Sequence, residues 1–115
     1  MEVKLDLSYL ENMSGGDKVL MKEMVEIFKE QVPEFVTEMK LCIENEDWKA
    51  LASIAHKAKS SIAIVGLNDL TEELKQFENN VIQSNKISSF KSFILHFEET
   101  CKQAIIQLEM IFSKQ

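Results

Sequence analysis

An all-α fold is what this chain predicts: an antiparallel four-helix bundle with a short extra helix at its N-terminus. Three observations carry that expectation. Apolar residues recur at steps of three and four almost throughout, and strand-like alternation is absent. Only three glycines and one proline occur in 115 residues, so long uninterrupted elements are expected. Short polar breaks ("SGGD", "ENED", "QSNK") separate the periodic stretches, and short connections favour antiparallel neighbours.

The first helix is expected over Leu5 to Met13. It stops at two glycines, after which Asp17 can cap the next. The second runs from about Lys18 to Asn45, with Leu20, Met24 and Ile27 on one side and Phe35, Met39 and Cys42 further on. Pro33 removes a backbone donor within it, so a kink or a break is expected there. The third helix spans Trp48 to Val65, its core stripe formed by Trp48, Leu51, Ala55, Ala58, Ile62 and Val65, and Gly66 ends it. Asp69 with Glu72 makes a capping-box pattern for the fourth, whose stripe is Leu70, Leu74, Phe77 and Val81. The last helix, Ser89 to Phe112, carries Phe90, Ile94, Phe97, Cys101, Ala104, Leu108 and Ile111. Met21, Met24 and Met39 are expected to fill gaps in the core.

The length fits one domain, residues 1–115, with one modest core. A formal charge of −6 argues against nucleic acid or anionic lipid as partner, since both carry dense negative charge. Cys42 and Cys101 match no metal or redox spacing and read as buried free thiols in a reducing compartment. "MEVKLDLSYL" lacks a basic region followed by an apolar run, and no apolar stretch approaches the roughly 20 residues that span a bilayer. These features together give the expectation of a cytoplasmic monomer away from membranes.

His56, in "SIAHKAKSSIAIVGL", lies about 125° from the centre of the third helix's stripe and so faces outward. Its helical neighbours are small or cationic: Ala52, Ser53, Ser60 and Ala63, with Lys59 three residues on. Surface helices normally fill such a face with long side chains. An imidazole standing clear of its neighbours can attack phosphorus, and an unperturbed pKa of about 6.5 leaves much of it neutral near pH 7. Lys59 can neutralise part of the negative charge on the resulting phosphohistidine. By spacing alone, an ordinary exposed histidine beside a lysine is the better explanation of the pattern.

"AHKAKSSIAIVGLNDL" resembles the signature of histidine phosphotransfer (HPt) domains. That signature has an Ala-His pair, Lys three residues after the His, a small residue next, Gly ten after it and Leu fourteen after it. These are Ala55, His56, Lys59, Ser60, Gly66 and Leu70. "GGDKVLMKEMVEIFKEQVPEF" and "NEDWKALASIAHK" look like the family's preceding helix and the start of the motif helix, so the resemblance covers about residues 8 to 82. Two positions depart from the pattern: Ser60 stands where Gly is usual, and Ala58 where Leu is frequent. The resemblance implies a multistep phosphorelay in which His56 takes a phosphoryl group from a receiver-domain aspartate and passes it to another receiver. The receivers would belong to response regulators or hybrid sensor kinases. It further implies that the domain lacks kinase activity and ATP binding, needs no cofactor of its own, and relies on Mg²⁺ held by the receiver. The absence of a Gly-rich phosphate loop agrees. Ala52, Lys57, Ser60, Ala63 and Ile64 are the candidate receiver-docking residues, and Lys57 and Lys49 could steer an acidic receiver surface, although a solvated helix face explains both lysines equally well. Ile64 lies about 80° from His56 on the wheel, so docking patch and cover by the second helix are both open for it.

Two rivals differ in class. A carboxylate-bridged metal bundle needs Glu-x-x-His, but the residues three before the histidines are Ser53 and Phe93. A helical interaction module that docks receivers without transfer is the other, although His56 and Lys59 are both retained. His96, off the last helix's stripe, reads as a solvated or boundary histidine.

Overall fold

The computed structural model describes residues 2–113 and is helical throughout its regular structure, with no strand among the described residues. The helices are α1 (Ser8–Ser14), α2 (Lys18–Glu44), α3 (Trp48–Ile64), α4 (Asn68–Ile82) and α5 (Phe90–Ser113). A 3₁₀ turn, Ile87–Ser89, leads into α5. α2 packs on α3 and α5, and α4 packs on both of those, closing four long helices around one core in a body of 44 × 23 × 20 Å. α1 leans on α2. This is the expected bundle with its short additional helix.

α3 and α4 form the most extensive pair. Ala55 and Ala58 of α3 are fully buried, and their small side chains permit close approach at the seam. The α4 stripe, Leu70, Leu74, Phe77 and Val81, is buried as expected. At the end of the bundle where α3 begins, Trp48 and Phe77 each meet Phe90 edge to face, at 5.5 and 5.3 Å, while Phe93 stacks on Phe77 at 4.3 Å. Cys42 and Cys101 are free and buried, and burial pushes the Cys101 thiol up to about 12.

Several boundaries and faces differ from the sequence expectation. α1 starts at Ser8 rather than Leu5, because Asp6 is engaged elsewhere. Its carboxylate accepts from the Ser8 amide and hydroxyl, and its backbone N–H donates to Gly66 O at 3.0 Å. Residues 2–7 therefore run as a strap, with Val3, Leu5 and Leu7 against the core and the Gln107 amide both donating to and accepting from the Val3 backbone. α2 continues unbroken past Pro33, whose ring is exposed, so the carbonyl that loses its donor can turn to water. The buried row in its first half is Met21, Val25, Phe28 and Val32, not Leu20, Met24 and Ile27. That row continues Phe35, Met39 and Cys42 backwards in steps of three and four, and leaves Leu20 and Ile27 exposed. Met24 is half-buried, whereas Met21 and Met39 do fill the core.

Asp17 caps α2 by accepting from the Val19 and Leu20 amides at 2.9 and 3.2 Å. α4 begins one residue before Asp69, so the capping box with Glu72 does not form. Asp69 sits instead in the first turn, where the helix dipole favours an anion. In α5, Phe112 occupies the last core position and Ile111 is exposed, because the final step along the stripe is four residues rather than three.

Candidate functional site

His56 lies at the midpoint of α3, with 71 % of its side chain exposed. The antiparallel pairing of α3 with α4 sets Glu78 opposite it. The Glu78 carboxylate bridges two residues of α3: Oε2 is 3.1 Å from His56 Nδ1, and Oε1 is 2.7 Å from Lys59 Nζ. A carboxylate can only accept here, so Nδ1 carries the proton and the Nε2 lone pair is left toward solvent. The Lys59 contact is a short ion pair, in which attraction between the ammonium and the carboxylate adds to the close approach.

The Glu78 side chain is only 15 % exposed. Burial opposes its ionisation, but the Lys59 ammonium and then the His56 ring outweigh that, holding its carboxyl below the ordinary carboxylate value. The site therefore contains a fixed carboxylate behind an accessible imidazole. Lys59 is less free than its sequence position suggested. Its side chain is 24 % exposed and already paired, so it must exchange partners to reach an added phosphate.

Around His56, Ser53, Lys57 and Ser60 are exposed, while Ala52 and Ala63 are half-buried. Of these positions only Lys57 carries a long side chain; Ala52, Ser53, Ser60 and Ala63 are small. Lys49 is exposed near the start of α3. Ile64 is half-buried and lines a shallow depression with Met24, Ile27, Phe28, Gln31 and Ser61. It is partly covered by α2, yet it borders the exposed Ile27. His96 is half-exposed on α5, its Nε2 3.1 Å from Glu73 Oε2, with Phe93 alongside. That arrangement occupies the nitrogen which His56 leaves open. No group of three or more His, Cys, Asp or Glu among the described residues could hold a metal ion.

Gly66 lies just past the C-terminal end of α3, the helix that carries His56. It follows α3 with φ +75°, and a Cβ there would run into the Asp6 backbone. Positive φ and close approach both call for glycine. Glu78 was not found by sequence reasoning, since it follows the core residue Phe77 on a different helix from His56. Only the α3–α4 register brings the two together.

A family model for the Hpt domain matches residues 23–109, from within α2 to near the end of α5. The chain belongs to the Hpt domain family. Comparison with curated proteins and with solved structures yields no match. Hpt domains are helical phosphocarrier modules of two-component signalling, without kinase activity, and they interact with receiver domains. The matched span of this Hpt domain contains His56, Lys59 and Glu78, and leaves out the strap and α1. No described helix is long and apolar enough to cross a membrane.

Proposed function

We propose that this Hpt domain relays phosphoryl groups between receiver domains through His56, which forms a phosphohistidine. The reading is carried by one observation: an accessible imidazole whose Nδ1 is tied to Glu78, leaving Nε2 presented on a face of small side chains. Nε2 attacks the phosphorus of a receiver aspartyl phosphate, and the phosphoryl group later passes to another receiver's aspartate. Lys59 leaves Glu78 to stabilise the phosphoryl group by charge. Mg²⁺ belongs to the receiver, and the domain itself needs neither a cofactor nor ATP.

Ser60 and Lys57 form the exposed rim for receiver docking, with Ala52 and Ala63 giving room beside the ring. Ile64, with Met24 and Ile27, supplies an apolar edge. Serine in place of the family's usual glycine at position 60 keeps the rim low while adding a hydroxyl. The expected unit is a monomer.

A panel of phosphorylated receivers tests this directly. Labelled phosphoryl should move to the wild type and to His56-bearing His96→Gln, giving an acid-labile, alkali-stable product. His56→Gln should take none while keeping its helicity, since an exposed side chain contributes little to stability. Labelling from ATP alone would indicate a kinase. Receiver binding without transfer in the wild type would leave a docking module.

A further inference from the structure

We propose that Glu78 sets the transfer potential of the phosphorylated domain by keeping the Nδ1 proton on the phosphorylated His56 ring. The inference rests on the reading of His56 as phosphoacceptor and concerns what happens after the phosphoryl group arrives. When Nε2 attacks phosphorus, the N–P bond forms and the acyl P–O bond breaks. The bonding electron pair leaves with the donor's carboxylate. The ring is then a phosphoimidazolium: its nitrogens have given up one lone pair to phosphorus and still carry the Nδ1 proton.

An isolated ring in water would lose that proton readily and become a neutral phosphoimidazole. Its nitrogen is then a poor leaving group, and the ring must be protonated again before phosphorus can depart. Here the proton lies between Nδ1 and a carboxylate oxygen 3.1 Å away. The side chain of that carboxylate is only 15 % exposed, and once Lys59 turns to the phosphoryl group the protonated ring is its remaining cationic partner. A cationic ring beside a fixed anion in a poorly solvated seam is favoured over a neutral one. Onward transfer then reverses the first step. An acceptor carboxylate attacks phosphorus, the P–N bond breaks, and its electron pair returns to Nε2. Nδ1–H remains on Glu78, and no proton is exchanged with solvent in either direction.

The other charged groups on α3 and on the neighbouring helices α2 and α4 do not compete for this role. On α3, Lys57 and Lys59 are cations that cannot accept a proton bond. On α4, Lys75 lies one turn before Glu78 and is exposed. On α2, Glu34 and Glu38 are exposed and form ion pairs with neither His56 nor Lys59. Glu78 thus acts through the ring and is a positioning residue.

Glu78→Gln isolates the charge, because the isosteric amide oxygen can still accept the Nδ1–H bond of a neutral ring. Both proteins, in a His96→Gln background, would be phosphorylated with phosphoramidate, which needs no receiver. The ¹⁵N shift of Nδ1 would then be followed against pH, with ³¹P signals reporting the intact P–N bond. In the Glu78 protein the phosphorylated ring should keep its proton to a pH about one unit or more higher than in Glu78→Gln. Transfer from each to an unphosphorylated receiver should diverge as pH rises, the glutamine variant slowing by up to about tenfold per pH unit. Superimposable ¹⁵N titrations would overturn the proposal. So would a Glu78→Gln protein that takes no phosphoryl group, since the carboxylate would then be needed before the phosphorylated state exists. The expected titrations with no transfer to or from any receiver would instead sink the relay reading and leave this one standing.

Discussion

Glu78 serves two partners on α3, and much of the site's behaviour follows from that sharing. With Lys59 on one oxygen and His56 on the other, the carboxylate is ionised at an energy cost that the two neighbours offset. Lys59→Ala removes the larger of these supports together with the cation meant for the phosphoryl group. The variant should lose phosphoryl label faster or accept it more slowly, and its stability should fall by more than the roughly 0.5 kcal/mol usual for a surface change, because a poorly solvated carboxylate loses its partner. Equal label kinetics and equal melting in the two proteins would reduce Lys59 to an ordinary lysine. Acid should act on the same group. The folded value of Glu78 lies below its ordinary 4.5, so its pairing contributes stability above that pH and loses it as pH falls through the lower, folded value. The His56 ring signals should therefore respond in acid below about pH 4.5, and in Glu78→Gln that response should vanish. His56 and Lys59 were legible in the sequence because a single helix's wheel relates them. Glu78 was not, because its role depends on a register between two helices that no local pattern encodes.

Helix ends and faces show the same division between local and non-local causes. The Asp17 cap and the Gly66 stop were readable, since both are short-range chemistry: a side-chain acceptor two or three residues from the amides it serves, and a left-handed residue after the last turn. The early half of α2 was misread because it is apolar on two faces. Leu20, Met24 and Ile27 form one row and Met21, Val25 and Phe28 another, and only packing against α3 and α5 chooses between them. The late start of α1 likewise comes from a distant partner, the Gly66 carbonyl that takes the Asp6 N–H. Gly66 is where local and non-local demands meet. Its φ of +75° suits glycine, and the Asp6 backbone leaves no space for a Cβ. Gly66→Val should cost about 1 kcal/mol for the backbone conformation and more for displacing the strap. Urea unfolding would measure that loss, and amide exchange at Asp6 should rise with it. An unchanged midpoint with a protected Asp6 amide would contradict both contributions.

At the scale of the whole molecule, scaffold and chemistry occupy different parts of the bundle. The core is a continuous apolar column in which α5 supplies Phe90, Ile94, Phe97, Cys101, Ala104 and Leu108, all essentially buried. The site lies on the outer edge of the α3–α4 seam. Bundle class was legible because amphipathic periods and short polar breaks leave few other ways to bury four stripes. That separation is testable at Phe97, which is fully buried on α5 and takes no part in the His56–Glu78–Lys59 cluster. Truncating it leaves a cavity the size of a ring, and Phe97→Ala should destabilise by about 3–5 kcal/mol. Domains of this size are typically stable by only about 5–15 kcal/mol, so the melting temperature should drop substantially. Below that lowered transition, however, the site should be assembled as before. A Phe97→Ala protein with native far-UV circular dichroism should accept label from a phosphorylated receiver at close to the parental rate, whereas His56→Gln, equally helical and far more stable, should accept none. Loss of labelling in Phe97→Ala while its helices remain intact would show that the α5 core controls the α3–α4 register, and the division between scaffold and site would fail.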